Sequence, residues 1–301
     1  ARASWFIGYV LSALGDDEGA MRAYQQAQVL DPRRPPVQLA GGAQYLHRFA
    51  QAEALYKRAL ALAPDSWVTL DSLASLYAYL GDLPKVGQLI ENASPAIKSN
   101  PNFVDTAGMY LTYRRDWAAA RKLYATAKEP ENLHAAFYPI EVLRGDVEWY
   151  DGDKAAAHAQ YERAVPLIEA MQRQNPESTR WHAELGWVYA RLGRDAEALQ
   201  QGRLALGAED PSSGVVRHAP HGALALAQID AQIGKTAEAI DILDTLLALP
   251  KGTLISVPLL KLDPVWDPIR HDPRFQALLK KYQTPAPAST AAIVSAAPSS
   301  T

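Results

Sequence analysis

Three short motifs in this sequence carry residue types that could do chemistry, and each fails on spacing or context. Gly234-Lys235-Thr236 has the ending of a phosphate-binding loop, in which backbone amides and a lysine grip phosphate oxygens. Such a loop also needs a glycine five residues before Gly234 and a preceding strand, but that position is Ile229, inside a helical pattern. The trio reads instead as a turn glycine, a polar residue and a threonine helix cap. Asp151-Gly152-Asp153, with Glu162 beyond it, has the outer acids of a calcium loop. Ala155, Ala156 and Ala157 supply neither the oxygen ligands nor the central glycine, so Asp153 reads as a helix cap. His218 and His221 flank Ala219-Pro220, where the proline spoils a helical i, i+3 metal site, and His134, His158 and His182 are scattered. Gly-x-Ser-x-Gly is missing and cysteine is absent, which leaves no familiar nucleophile. The expectation is a chain that is not an enzyme and holds no cofactor and no metal.

Composition agrees with a non-catalytic, water-exposed chain. Apolar residues make up 48% of the 301, enough for a continuous core, and charged residues 21%. A formal net charge of −3 argues against a nucleic-acid partner held through a strongly basic face. No run reaches the roughly eighteen apolar residues of a membrane helix, so no direct membrane insertion is expected. The stretch Ala1 to Gly15 has no secretory-signal layout and begins inside a helical pattern, as a piece of a longer protein would.

The element that must position any function here is a repeat. Small residues recur at Ala27, Ala59, Ala93, Ala127, Ala164 and Ala205, with Leu246 in the seventh place, at spacings of 32, 34, 34, 37, 41 and 41. Seven residues before each stand Ala20, Ala52, Val86, Ala120, Ala157, Ala198 and Ala239. Nineteen before each stand Gly8, Ala40, Ala74, Gly108, Gly145, Gly186 and Ala227. Paired helices must approach closely at such places, and a large side chain would hold them apart. Between them lie apolar residues at helical spacing, such as Leu73, Leu76, Tyr77 and Leu80. Gly15, Gly81, Gly152, Gly193 and Gly234 mark turns between helices, where a left-handed cap suits glycine. His47 and Arg115 take that place in two units, so those turns are expected to close differently. Pro32, Pro64, Pro176, Pro211 and Pro250 mark the ends of second helices.

The order of small residue, aromatic, turn glycine, alanine, aromatic, alanine and proline resembles the tetratricopeptide repeat, most clearly in LGDDEGAMRAYQQAQVLDP and LGWVYARLGRDAEALQQGRLAL. The resemblance implies an all-α fold, an α-solenoid winding as a right-handed superhelix. Seven hairpins are expected over residues 1–250, a C-terminal cap over 251–282 and a disordered Ala/Pro/Ser/Thr tail over 283–301. Within the cap, Asp263-Pro264, Asp267-Pro268 and Asp272-Pro273 punctuate turns before a final amphipathic helix, Pro273 to Tyr282, whose Phe275, Leu278 and Leu279 should cover the last hairpin. Residues 257–282 resemble the end of the tetratricopeptide region of bacterial multidomain signalling proteins, among them serine/threonine kinases, adenylate cyclases and winged-helix regulators.

That resemblance also gives the tyrosines a direction. Two residues before each turn, units two to five carry Tyr45, Tyr79, Tyr113 and Tyr150, while units one, six and seven carry Ala13, Arg191 and Gln232. In the repeat family this position looks into the concave groove, where stacked rings with polar tips suit peptide binding. Tyr9, Met109 and Trp187 fall on a nearby groove position, and Trp149 adjoins Tyr150. The alternative is that the rings only pack between neighbouring helices. The family's clamp for a terminal carboxylate is not supplied by Trp5 with Tyr9, Val37 with Gly41 or Asp71 with Ser75. The function expected is a scaffold that binds a protein partner, as an extended peptide or a partner helix along its concave groove, in the docking or sensory region of a bacterial signalling protein. A second reading is the non-catalytic C-terminal part of a kinase or cyclase, and a third is self-association. A cytoplasmic location is expected, or a periplasmic one should a membrane helix lie upstream.

Overall fold

In the computed structural model, residues 1–127, 139–176, 178–206, 219–252 and 254–283 are described. His134, Pro211, His218, most of the loop from Gly207 to Gly222 and the tail after Gln283 lie outside the described residues.

Every described element is helical. The long helices pair as Arg2–Ala13 (α1) with Asp17–Leu30 (α2), Val37–Tyr45 (α3) with Phe49–Leu62 (α4), and Trp67–Leu80 (α5) with Leu83–Glu91 (α6). After a short helix, Pro95–Lys98 (α7), come Phe103–Tyr113 (α8) with Trp117–Thr126 (α9), and Ile140–Asp151 (α10) with Lys154–Gln174 (α11). The last two pairs are Thr179–Arg191 (α12) with Asp195–Ala205 (α13), and Ala219–Gln232 (α14) with Thr236–Leu247 (α15). Each helix packs on its hairpin partner and each hairpin on the next, which makes the array an α-solenoid.

The small residues explain the close packing. Ala20, Ala52, Ala120, Ala157, Ala198 and Ala239 are all buried, as are Ala40, Ala74 and Ala227 on the first helices. A methyl group added at Gly145 would lie 2.6 Å from the Tyr161 ring, and one at Gly8 would lie 2.7 Å from Tyr24. First-helix glycine and second-helix tyrosine thus interlock, so neither can change size alone.

The turns at His47 and Arg115 close as those at Gly15, Gly81 and Gly193 do, which corrects the expectation for them. Gly81 donates to the Ala78 carbonyl and Asp82 to that of Tyr77. His47 and Arg48 donate to Gln44 and Ala43 in the same pattern, and Arg115 and Asp116 donate to Thr112 and Leu111. His47 and Arg115 both stand at φ 57°, in the left-handed region where the turn glycines lie. A side chain there costs about 1–2 kcal/mol, so something must compensate for it. The second helices of four hairpins then start on an aspartate cap: Asp16, Asp82, Asp116 and Asp153 each accept a backbone amide three residues on. At Gly234-Lys235-Thr236 the cap position falls on Lys235, with no side-chain cap bond, and Thr236 already opens the helix. That corrects the threonine-cap reading.

Beyond α15 the chain does not simply cover the end of the array. Lys251 bonds Asp17 at 2.6 Å. Lys251 is four residues past Leu247, a backbone reach of at most about 14 Å. The solenoid therefore curls far enough to bring its seventh hairpin back towards its first. From there Val257–Leu262 (α16), a 3-10 turn at Pro264–Trp266 and Pro273–Tyr282 (α17) follow. Val257, Leu260, Val265, Trp266, Ile269, Phe275, Leu278 and Leu279 share one core with Ile240, Leu243 and Leu246 of α15. Each apolar side chain so buried contributes about 1.5–3 kcal/mol, which ties this segment firmly to hairpin seven.

Candidate functional site

The position two residues before each turn is held by Tyr45, Tyr79, Tyr113, Tyr150, Arg191 and Gln232 in hairpins two to seven. In hairpins five to seven these residues touch directly: Arg191 donates to the Tyr150 hydroxyl and to Gln232, each at 2.7 Å. The Arg191 side chain is only 1% exposed, and its guanidinium lies over the rings of Trp187, Trp149 and Tyr150 at 4.1, 4.5 and 4.8 Å. Beneath it Asp146 accepts from the Tyr161 hydroxyl at 2.6 Å and from the Trp187 indole at 3.1 Å. Burial pushes the Asp146 carboxyl above the ordinary range, while the Arg191 charge opposes the shift. Burial also raises the Tyr150 phenol well above its usual value, again against Arg191. Trp149, Tyr150 and Trp187 are thus gathered around a buried cation.

Hairpins two to four place their tyrosines differently. Tyr79 packs at 5.4 Å from Phe49 and 6.4 Å from His47, and burial raises its phenol. Met109 and Tyr113 lie against the core around Leu73 and Leu76, where Leu259 from the C-terminal segment joins them. Lys251 sits 5.7 Å over the Tyr45 ring. Tyr9 is 57% exposed, stacked on Trp5 at 5.9 Å, near the open end of the array. A recess of about 240 Å³ lies between the first two hairpins, lined by Ser12, Asp17, Met21, Tyr24, Gly41 and Tyr45.

What lies against this row is the chain's own C-terminal segment. The Gly252 amide donates to the Tyr45 carbonyl at 2.8 Å, and the Gly252 carbonyl meets His47 Nε2 at 2.5 Å. Ser256, in extended conformation, donates its hydroxyl to the Tyr79 carbonyl at 2.6 Å. Pro258 lies over Gly81 so closely that an added methyl group would stand 2.9 Å from it. Asp267 then takes both arms of the Arg115 guanidinium, at 2.6 and 2.7 Å. Burial works against the Asp267 carboxylate, yet its bonds to Arg115 and Arg270 outweigh it and hold it below the usual range. Turns two, three and four thus meet residues 252, 256–258 and 267 in order.

The segment is held unequally on its two sides. Towards hairpin seven it buries a row of apolar side chains. Towards hairpins two to four it packs one side chain, Leu259, on the core around Leu73 and Leu76, and otherwise makes polar clips, each worth about 0.5–1.5 kcal/mol for a hydrogen bond and about 0.2–1 kcal/mol for an exposed ion pair. The sequence pattern had pointed to the tyrosines but not to Gly252, Ser256 and Asp267. Its one signal was the departure from glycine at His47 and Arg115.

With this geometry in place, comparison with known proteins is informative. Sequence profiles described as tetratricopeptide repeat match residues 1–34 and 142–214. Over those residues the chain carries tetratricopeptide repeats. The repeat fold is also that of a tetratricopeptide repeat protein from Parabacteroides merdae, at 15% identity and a TM-score of 0.50, over 87% of this chain and 97% of that one. A chain of the APC/C hetero-tetramer Cut9-Hcn1 is similar at 14% identity and a TM-score of 0.50, over 75% of this chain. This chain spans 42% of that one's length. No curated protein matches the sequence. Proteins of the tetratricopeptide fold are in general protein-interaction scaffolds. Among the described residues no helix is long and apolar enough to cross a membrane, and no three acids, histidines or cysteines converge on a metal site.

Proposed function

We propose that this tetratricopeptide array is a protein-interaction scaffold whose concave face, along Tyr45, Tyr79 and Tyr113, takes an extended segment of a partner protein. The observation that carries this reading is that these turns already hold a segment of chain: Gly252, Ser256, Pro258 and Asp267, extended at Ser256 and helical over Val257–Leu262, meet turns two to four in order. Rings beside an ordered backbone acceptor offer large contact area at low entropy cost, which suits a partner read partly by its main chain. The net charge of −3 weighs against a nucleic-acid partner. The likeness of residues 257–282 to the end of the repeat region in bacterial multidomain signalling proteins supports a docking or sensory role within one.

Placing a photoreactive phenylalanine analogue at Tyr79 of the full chain tests the reading. Illumination is expected to give two classes of adduct, one to residues 254–260 of the same chain and one to a single extended segment of another protein. Adducts confined to the same chain, at every partner concentration tried, would contradict it.

A further inference from the structure

Seven turns share one left-handed conformation, and five of them use glycine for it. The two that do not, at His47 and Arg115, are the only described non-glycine residues with positive φ. These same two side chains reach the C-terminal segment: His47 meets the Gly252 carbonyl and Arg115 grips Asp267. The third turn, between them, keeps its glycine, and Pro258 crosses directly over it. Strain at a backbone position persists where the surroundings or the function require that side chain. Here both strained residues have a bond across the groove that glycine could not make.

The segment's apolar side belongs to hairpin seven, with Leu260, Trp266 and Ile269 buried against Leu243 and Leu246. Its side towards hairpins two to four packs Leu259 on the core around Leu73 and Leu76 and is otherwise clipped by polar groups that water or another chain can replace. Separation at these clips and at Leu259 would carry the segment away together with hairpin seven, and would uncover the tyrosine row.

We propose that His47 and Arg115 are latch residues closing the concave face with Gly252 and residues 254–267, and that a segment of a partner protein opens it by taking over the same clips, presenting a small residue at His47 and a carboxylate to Arg115. The partner's chemistry follows from the segment it replaces. Gly252 allows the main chain to approach Tyr45, and Asp267 matches the two parallel donors of a guanidinium. The inference rests on the groove reading above.

Hydrogen exchange on the full chain tests the latches. In a variant carrying both His47→Gly and Arg115→Gly the turns keep the conformation that glycine already adopts in the other five, so the array stays folded. Exchange at the Gly252 amide should rise by about tenfold or more, while amides inside α4 and α9 exchange as before. Unchanged exchange at Gly252 would overturn the latch role and leave the groove reading standing. The second arm uses Asp267→Asn in the full chain, which weakens the clip and leaves the groove side intact. A labelled peptide with the sequence of residues 250–268 should bind this variant about tenfold more tightly than the native chain. The same peptide carrying Asp267→Asn should lose that gain. Faster exchange at Gly252 with no gain in peptide affinity would overturn the partner half of the proposal, and with it the groove reading.

Discussion

Both carboxylate oxygens of Asp267 are held by the guanidinium of Arg115, at 2.6 and 2.7 Å, across 152 residues of sequence. The contact joins the fourth turn of the array to the segment that follows the seventh hairpin. It also sits where a glycine would relieve the backbone, at φ 57°.

Arg115→Gly should therefore leave the melting temperature unchanged or slightly higher. Relief of left-handed strain, about 1–2 kcal/mol, offsets the loss of an exposed pair worth about 0.2–1 kcal/mol. Arg115→Val loses the pair and keeps the strain on a β-branched residue, so its melting temperature should fall. Equal melting of the two variants would show that the turn carries no strain.

Arg191 is the opposite case, a cation that the fold cannot spare. Arg191→Ala leaves Asp146 buried without its counter-charge and empties the space among Trp149, Tyr150 and Trp187. A loss of about 3–5 kcal/mol is expected by chemical denaturation. Adding Asp146→Asn should recover part of it, because the orphaned charge is then gone.

Stability should rise on mild acidification. Burial is the largest cause that pushes Asp105 up to about 7, with the Asp71 charge adding to it, and burial likewise pushes Asp230 and Asp263 up to about 6. The ordinary value is 3.8, so between pH 3.8 and about 7 the folded chain binds more protons at these sites than the unfolded chain. Their stabilising contribution is thus complete below pH 3.8 and lost as pH rises through 6 to 7. Melting scans from pH 8 down to 5.5 should show a rising midpoint, and Asp105→Asn should flatten the rise. A falling midpoint over that window would contradict the assignment.

Trp266→Ala and Phe275→Ala should each cost about 3–5 kcal/mol, since both rings are buried in the core shared with hairpin seven. A cost near zero by denaturant titration would mean that the C-terminal segment is not part of that core.

Much of this fold was legible in the sequence because its determinants are local. The small residues at Gly8, Gly108 and Gly145 face a tyrosine sixteen positions on, within one hairpin, and Ala40 with Tyr56 shows the same spacing in the sequence. Helix caps such as Asp153 and the final helix Pro273–Tyr282 were readable for the same reason. The course of residues 251–267 was not, because its bonds join positions 152 to 234 residues apart, and no periodicity links them. Tyr150 and Trp187 fitted the groove pattern equally well, and only the buried Arg191 beside them shows what their faces meet. Arg191 stood in the tyrosine place of unit six, and a cation in an aromatic row is the trace it left.

The central claim, that Tyr79 and Tyr113 line a face which takes an extended segment, is tested most directly by their alanine variants in the Asp267→Asn chain. Titration with the peptide of residues 250–268 is run beside thermal melts of the same samples. Each change is expected to weaken peptide binding by about 1–3 kcal/mol while the melting temperature moves little. A stability loss of about 3–5 kcal/mol, with unchanged affinity in the protein that remains folded, would show that the rings are packing elements and contradict the account.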